Sequence, residues 1–182
     1  MLKKILLGLT AILAALLLAV AINTLRQGSR QIDVPPVQPL ALDENAAAQR
    51  LAAAVRLRTI SFDGQSAASA AEFRKLHALL KKSFPRAHAV LKRETVNELS
   101  LLYTWPGSDP AAKPIMLMAH QDVVPIAPGT ERDWQVDPFG GVIRDGFVWG
   151  RGAWDDKANL FAIFEAVETL AASGFKPRQT IY

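Results

Sequence analysis

The sequence has no cysteine. Disulfide staples and thiolate-bound zinc are therefore excluded, and any metal site must be built from His, Asp and Glu. Histidine is scarce too: His77, His88 and His120 are the only three in 182 residues. Acidic residues are absent from residues 1–30, which hold Lys3, Lys4, Arg26 and Arg30. Those four account for the whole formal charge of +4, because the 17 basic residues left are matched by 17 acidic ones. Outside the N-terminus there is no electrostatic case for nucleic acid as a partner. No internal repeat is present.

What the N-terminus has instead is an apolar run from Ile5 to Ile22, interrupted only by Gly8 and Thr10. That length reaches the lower limit for crossing a hydrocarbon core. Positive charge flanks both ends, with the excess on the N-terminal side, which favours an anchor whose N-terminus stays inside. Ala19-Val20-Ala21 offers a small-x-small cleavage site, so a cleaved signal segment is the alternative. Either reading exports the remainder, leaving it membrane-anchored or, after cleavage, secreted or periplasmic. Residues 1–30 are thus read as anchor or signal. Residues 31–42, with Pro35, Pro36 and Pro39, are read as an extended linker.

From Asp43 onward helical and strand patterns alternate. Asp43 is placed to cap an alanine-rich helix that buries Leu51 and Val55. Ser69-x-x-Glu72 has the form of a capping box ahead of a stripe formed by Phe73, Leu76, Leu80 and Phe84, and Pro85 is expected to end that helix. Strand-like stretches follow near 89–94 and 99–105. The run Ile115-Met116-Leu117-Met118-Ala119 lacks polar alternation, as expected of a strand buried on both faces. Val142-Ile143, Asp145-Gly146 and Phe147-Val148-Trp149 read as a hairpin. Residues 159–173 read as a helix with Leu160, Ile163, Phe164, Val167 and Leu170 on its apolar face and Gly174 as C-terminal cap. The last residues, 179–182, look like the start of another strand, and the expectation is a truncated catalytic domain over 43–182.

Two motifs carry chemistry. His120-Gln121-Asp122 ends the 115–119 run, and alternation along extended backbone puts His120 and Asp122 on one side. A carboxylate there can hold the second imidazole nitrogen and strengthen the ring as a metal ligand. The bland alternative is a capped strand end. The second motif is Gly150-Arg151-Gly152-Ala153-Trp154-Asp155-Asp156-Lys157 before a helix. Adjacent carboxylates repel unless a cation lies among them, although a helix N-terminus also favours acids. His77, beside Arg74 and Lys75, reads as solvated, and His88 as lying near a strand start. Neither has a carboxylate at ligand spacing.

Taken together, the order of these motifs resembles the di-zinc amidohydrolase and metallopeptidase family of acetylornithine deacetylase, succinyl-diaminopimelate desuccinylase, aminoacylase and carboxypeptidase S. The likeness runs from about Asp43 to Tyr182 and is strongest from Pro114 to Phe175. It implies an α/β fold: the N-terminal portion of a mixed-sheet, zinc-exopeptidase-like catalytic domain, here preceded by a transmembrane helix and without the family's lid domain. It also implies that His120 binds one of two zinc ions, that Asp122 orients it as part of the catalytic apparatus, and that Asp155 bridges both metals. The Asp155–Asp156 peptide bond is implied to be cis. Ala158 departs from the glycine common after the lysine. The family's general-base glutamate, the metal-binding glutamate beside it, a further acidic ligand and a distant histidine do not occur within residues 1–182. The function implied for the whole protein is hydrolysis of a small peptide or N-acyl amino acid, as in carboxypeptidase S-type members. The alternatives are a non-catalytic fragment with at most weak metal binding and, less well supported, a magnesium phosphohydrolase. The latter lacks a phosphate-cradling loop. Oligomeric state is left open.

Overall fold

The computed structural model describes residues 1–61 and 69–182. It divides into two compact units, Met1–Pro39 and Leu40–Tyr182. The first contains helix α1, Leu2–Arg26, followed by residues without regular structure. This helix is long and apolar enough to cross a membrane, and none of its residues is buried.

The second unit mixes helices and strands. Helix α2 spans Glu44–Val55, and Asp43 caps it as expected, accepting from the Ala46 N–H at 3.0 Å. Ala52, Ala54 and Val55 form its buried face, with Leu51 half-buried. Helix α3 spans Ala70–Ser83 and buries Phe73, Leu76 and Leu80, with Phe84 completing the stripe just beyond it. The capping box does not form. Glu72 is engaged elsewhere, accepting from the Arg58 N–H at 3.1 Å and from Lys75 at 2.6 Å, and Ser69 makes no side-chain cap bond.

Pro85 ends α3 by opening a second short helix, α4, Pro85–Val90. Proline suits a first helical turn because its missing N–H would be unpaired there anyway. The Glu168 carboxylate caps α4 from outside, accepting from Arg86 N at 3.1 Å and Ala87 N at 2.8 Å. His88 therefore lies on a helix rather than at a strand start. Its Nδ1 is 2.8 Å from Phe84 O and its Nε2 3.1 Å from the Tyr103 hydroxyl.

Strands β1, Lys92–Val96, and β2, Ser100–Thr104, pair antiparallel with Lys92 opposite Thr104. The next residue, Trp105, exchanges both backbone bonds with Ile181, at 2.8 and 3.0 Å. On its other side Ile181 bridges Ile115 in parallel, with Ile115 N donating to Thr180 O and Tyr182 N to Ile115 O. Residues 180–182 thus lie between an antiparallel and a parallel neighbour, which makes the arrangement mixed.

The 115–119 run is not a strand buried on both faces. Among the described residues it pairs along one edge only, and Ile115, Met116, Leu117 and Met118 are 40, 66, 47 and 75% exposed. Lack of polar alternation reveals apolar faces but not what covers them. Among the described residues Met116, Leu117 and Met118 border an open groove of about 380 Å³ shared with Leu101, Trp105 and Leu160.

The hairpin forms as read: β3, Val142–Arg144, and β4, Phe147–Trp149, joined by Asp145 and Gly146 at φ +55° and +79°. Two successive left-handed residues define the turn whose twist suits a two-residue hairpin. Helix α5 spans Lys157–Ala172, starting two residues earlier than its pattern suggested. Gly174, at φ +75°, ends it: Gly174 N donates to Ala171 O and Phe175 N to Leu170 O. That bond pair is the Schellman closure, which satisfies the last carbonyls.

The core gathers Leu76, Leu80 and Phe84 with Phe161, Phe164 and Val167 of α5. Phe84 meets Phe164 at 5.2 Å and Phe161 at 5.6 Å between ring centres, and Tyr103 packs edge-on against Phe164 at 5.1 Å. Such pairs add about 0.5–1.5 kcal/mol beyond the area they bury. Arg50 clamps α2 to α5 through a two-pronged bond to Glu165, at 2.5 and 2.7 Å.

Candidate metal centre

Two segments meet to form the site. The first is 119–123. Its position is set by a parallel backbone bridge between Ile60 and Val123, in which Val123 N donates to Thr59 O at 2.9 Å and Ser61 N to Val123 O at 3.0 Å. The second is the glycine-rich loop before α5. Gly152, at φ +74°, lies so close to Val123 that an added Cβ would stand 2.2 Å from its Cγ1. Gly150 approaches Val55 as closely, at 2.4 Å. Glycine is needed at 152 because the loop presses directly onto the segment that carries His120, and at 150 because it presses onto the end of α2.

The geometry brings the three sequence candidates together. His120 Nδ1 lies 3.1 Å from Asp122 Oδ1, and His120 Nε2 lies 2.9 Å from Asp155 Oδ1. The Asp155–Asp156 peptide bond is cis. Partial burial, the largest single influence on His120, favours the neutral ring. The hydrogen bond to Asp155 and the charge of Asp122 together outweigh it, so the pKa lies above the ordinary histidine value. The cleft around these atoms, about 220 Å³, is also lined by Val123, Val124 and Trp154.

Asn159 and Thr59 escaped the sequence reading as supports of the site, and Asp156 and Lys157, both within its second motif, had no separate role there. Asp156 Oδ2 accepts the His120 backbone N–H at 3.1 Å and lies 3.3 Å from Asn159 Nδ2, which donates to Met118 O at 3.0 Å. The two adjacent acids thus divide the work: Asp155 faces the imidazole side chain and Asp156 the main chain behind it. Lys157, without an assigned role from sequence, has no exposed surface; its Nζ donates to Ala54 O at 2.9 Å and Leu57 O at 2.7 Å, at the end of α2. Thr59 is fully buried, and its hydroxyl donates to Gln121 O at 2.7 Å.

His77 is not solvated. It is 6% exposed, and its Nε2 is 2.7 Å from Gln121 Oε1. Its charged sequence neighbours lie on the outer face of α3, while His77 itself turns inward beside Leu76 and Leu80. Only the fold could reveal this, because the spacing of His77 lies at the margin of the apolar stripe.

The donor set fits a zinc ion. In a tetrahedral site with donors at about 2.0–2.2 Å, two ligands stand about 3.3–3.6 Å apart, so the 2.9 Å between His120 Nε2 and Asp155 Oδ1 is a hydrogen-bonding distance that would widen slightly around an ion. With Nδ1 turned to Asp122, Nε2 is the nitrogen left to bind. Among the described residues no group of three or more His, Asp or Glu side chains is arranged to hold a metal, so His120 and Asp155 with their supports are what those residues bring together.

Residues 116–182 match Peptidase family M20/M25/M40. Carboxypeptidase S of Saccharomyces cerevisiae is 48% identical over 144 residues, covering 75% of this chain and 25% of that protein. A probable carboxypeptidase S-like protein of Dictyostelium discoideum is 40% identical over 179 residues, covering 94% of this chain and 34% of that protein. An N-fatty-acyl-amino acid synthase/hydrolase of Mus musculus is 38% identical over 136 residues, covering 74% and 26%. The chain thus spans between a quarter and about a third of the length of these relatives. Among solved structures, human carnosine dipeptidase 1 shares the fold at a TM-score of 0.55 and 22% identity, over 76% of this chain and 31% of that one. An M20 family metallo-carboxypeptidase from Sulfolobus solfataricus does so at 0.56 and 20%, over 78% and 30%. On the family match and these identities, the chain belongs to peptidase family M20/M25/M40 and is carboxypeptidase S-like.

Proposed function

We propose that this chain supplies one part of the active centre of a zinc-dependent hydrolase acting on small peptides or N-acyl amino acids. The observation that carries the reading is the line of contacts from Asp122 through His120 to Asp155. Asp122 holds Nδ1 and so orients the ring and raises its basicity. His120 presents Nε2 as a ligand. Asp155 offers one oxygen beside Nε2, and its side chain is 82% exposed, which suits a carboxylate shared between two ions. Zinc bound there supplies Lewis-acid polarisation of the scissile carbonyl and activation of water. Asp156 and Asn159 hold the His120 main chain in place. The substrate class follows the carboxypeptidase and N-acyl amino acid hydrolase relatives. We further read α1 as a membrane anchor, with residues 31–42 as a linker and 43–182 as part of the exported catalytic domain.

The test is hydrolysis of N-acyl amino acids and of dipeptides with a free carboxylate by the zinc-supplied protein, with zinc content measured in parallel. His120→Ala and Asp155→Ala are each expected to lower kcat/KM by more than about a hundredfold and to reduce bound zinc, as loss of metal ligands does. Activity on phosphoesters but not amides, or zinc uptake indifferent to both substitutions, would sink the reading.

A further inference from the structure

Gln121 lies between the two residues that define the metal centre, yet it faces the other way. Alternation along the extended backbone sends His120 and Asp122 to one side and Gln121 to the opposite one. There its amide is held at both ends. Nε2 donates to Leu99 O at 3.1 Å, and Oε1 stands 2.7 Å from His77 Nε2. A backbone carbonyl can only accept, so the amide orientation is set, and His77 must present an N–H to Oε1. Burial, the largest influence on His77, holds its pKa below the ordinary value, so the ring is neutral at pH 7 with its one proton facing Gln121. The main chain of the same residue is gripped as well, since buried Thr59 donates its hydroxyl to Gln121 O at 2.7 Å.

We propose that Gln121, clamped by His77 and Thr59, is a positioning residue for the metal centre: it sets the rotation of segment 120–122 so that the His120–Asp122 pair meets Asp155. The inference rests on the reading of that site as a zinc centre. Its physical basis is that a strand-like segment presents alternate faces, and a twist or slip of one residue exchanges them. The Ile60–Val123 bridge fixes where the segment lies. It does not by itself fix the direction in which residue 120 points. The buried clamp on the back of residue 121 supplies that constraint, with α3 as its foundation.

The experiment is zinc titration by calorimetry on the full chain, with thermal unfolding alongside, for the unsubstituted protein and for Gln121→Leu, His77→Leu and His77→Gln. Leucine at either position keeps an apolar volume and breaks the clamp. Glutamine at 77 can still donate to Gln121. Both leucine variants are expected to bind zinc about tenfold more weakly, at the low end of the roughly 10–100-fold effect of outer partners of a metal-binding histidine. His77→Gln is expected to recover most of that loss, which a purely structural role would not produce. Leucine variants that fold and take up zinc as tightly as the unsubstituted chain overturn the inference. Should either fail to fold, Thr59→Val carries the same test, because it removes only the hydroxyl donor; an unchanged zinc affinity there also overturns it. If the unsubstituted chain and His120→Ala take up zinc alike, the zinc-centre reading fails instead, which separates the two failures.

Discussion

Replacing Lys157 with methionine should change how stability depends on pH. Lys157 has no exposed surface, and burial, its largest influence, holds its pKa down to about 8 from 10.5. An ammonium carries three donors and a neutral amine two. Two acceptors are in place, Ala54 O and Leu57 O, so the amine can lose a proton without losing either bond. The sign follows from where the proton sits. Below about pH 8 the folded and unfolded chains both hold it, and folding bears the full cost of burying charge. Between about 8 and 10.5 the unfolded chain holds a proton that the folded one has released, so stability rises with pH. At about 1.4 kcal/mol per tenfold, that depression corresponds to roughly 3 kcal/mol. Methionine is an unbranched chain only one atom shorter and does not titrate. Urea unfolding followed by tryptophan fluorescence, for both proteins across this window, isolates the lysine from other groups that titrate there. The stability difference should move by roughly 3 kcal/mol in favour of the lysine protein as pH rises. A difference that stays constant across the window would refute the argument, since it would mean the folded ammonium is as well solvated as the unfolded one.

The remaining predictions concern stability, each read from the same unfolding assay. Arg50→Met leaves Glu165, whose side chain is 9% exposed, without its partner, and should cost about 2–3 kcal/mol, somewhat less than for a fully buried pair because Arg50 is 28% exposed. Arg50→Met combined with Glu165→Leu should recover most of that loss; strictly additive costs would show that the pair is not coupled. Gly152→Ala and Gly174→Ala both place a side chain at φ near +75°, so each should cost about 1–2 kcal/mol in backbone strain. Only Gly152→Ala also drives a Cβ to 2.2 Å from Val123, whereas Gly174 has open space, so the first should be the more damaging by at least about 1 kcal/mol. Equal costs would mean the loop can retreat from Val123 freely.

The parts of the fold that sequence revealed are those whose cause is local. The Asp43 cap, the Asp145-Gly146 hairpin, the stripe on α3 and the Gly174 closure each follow from a few neighbouring residues. The pairing of His120 with Asp122 was legible for the same reason, because alternation acts over two residues. What stayed hidden depends on contacts far along the chain. Glu72 left its expected cap because Arg58 and Lys75 took its oxygens, and His77 turned inward toward Gln121, 44 residues away. Lys157 had no role by sequence because its acceptors lie about 100 residues earlier. The exposed 115–118 side chains show the limit of pattern reading: apolar content states a preference for cover and not whether cover is present.

The clamp from Arg50 to Glu165 closes a loop of 115 residues, and inside it lie the Thr59–Gln121 bond, spanning 62, and the His120–Asp155 contact, spanning 35. The cost of joining distant points grows only with the logarithm of the chain between them, so each closure shortens the effective span that the next must bridge. Helices and the β3–β4 hairpin can form within microseconds from local contacts. The nested closures must wait for chain ends to find one another, which places this topology among slower folders. Their mutual dependence also makes the site cooperative. The two segments that form the candidate metal centre should therefore assemble, and be lost, in a single step with the core they rest on.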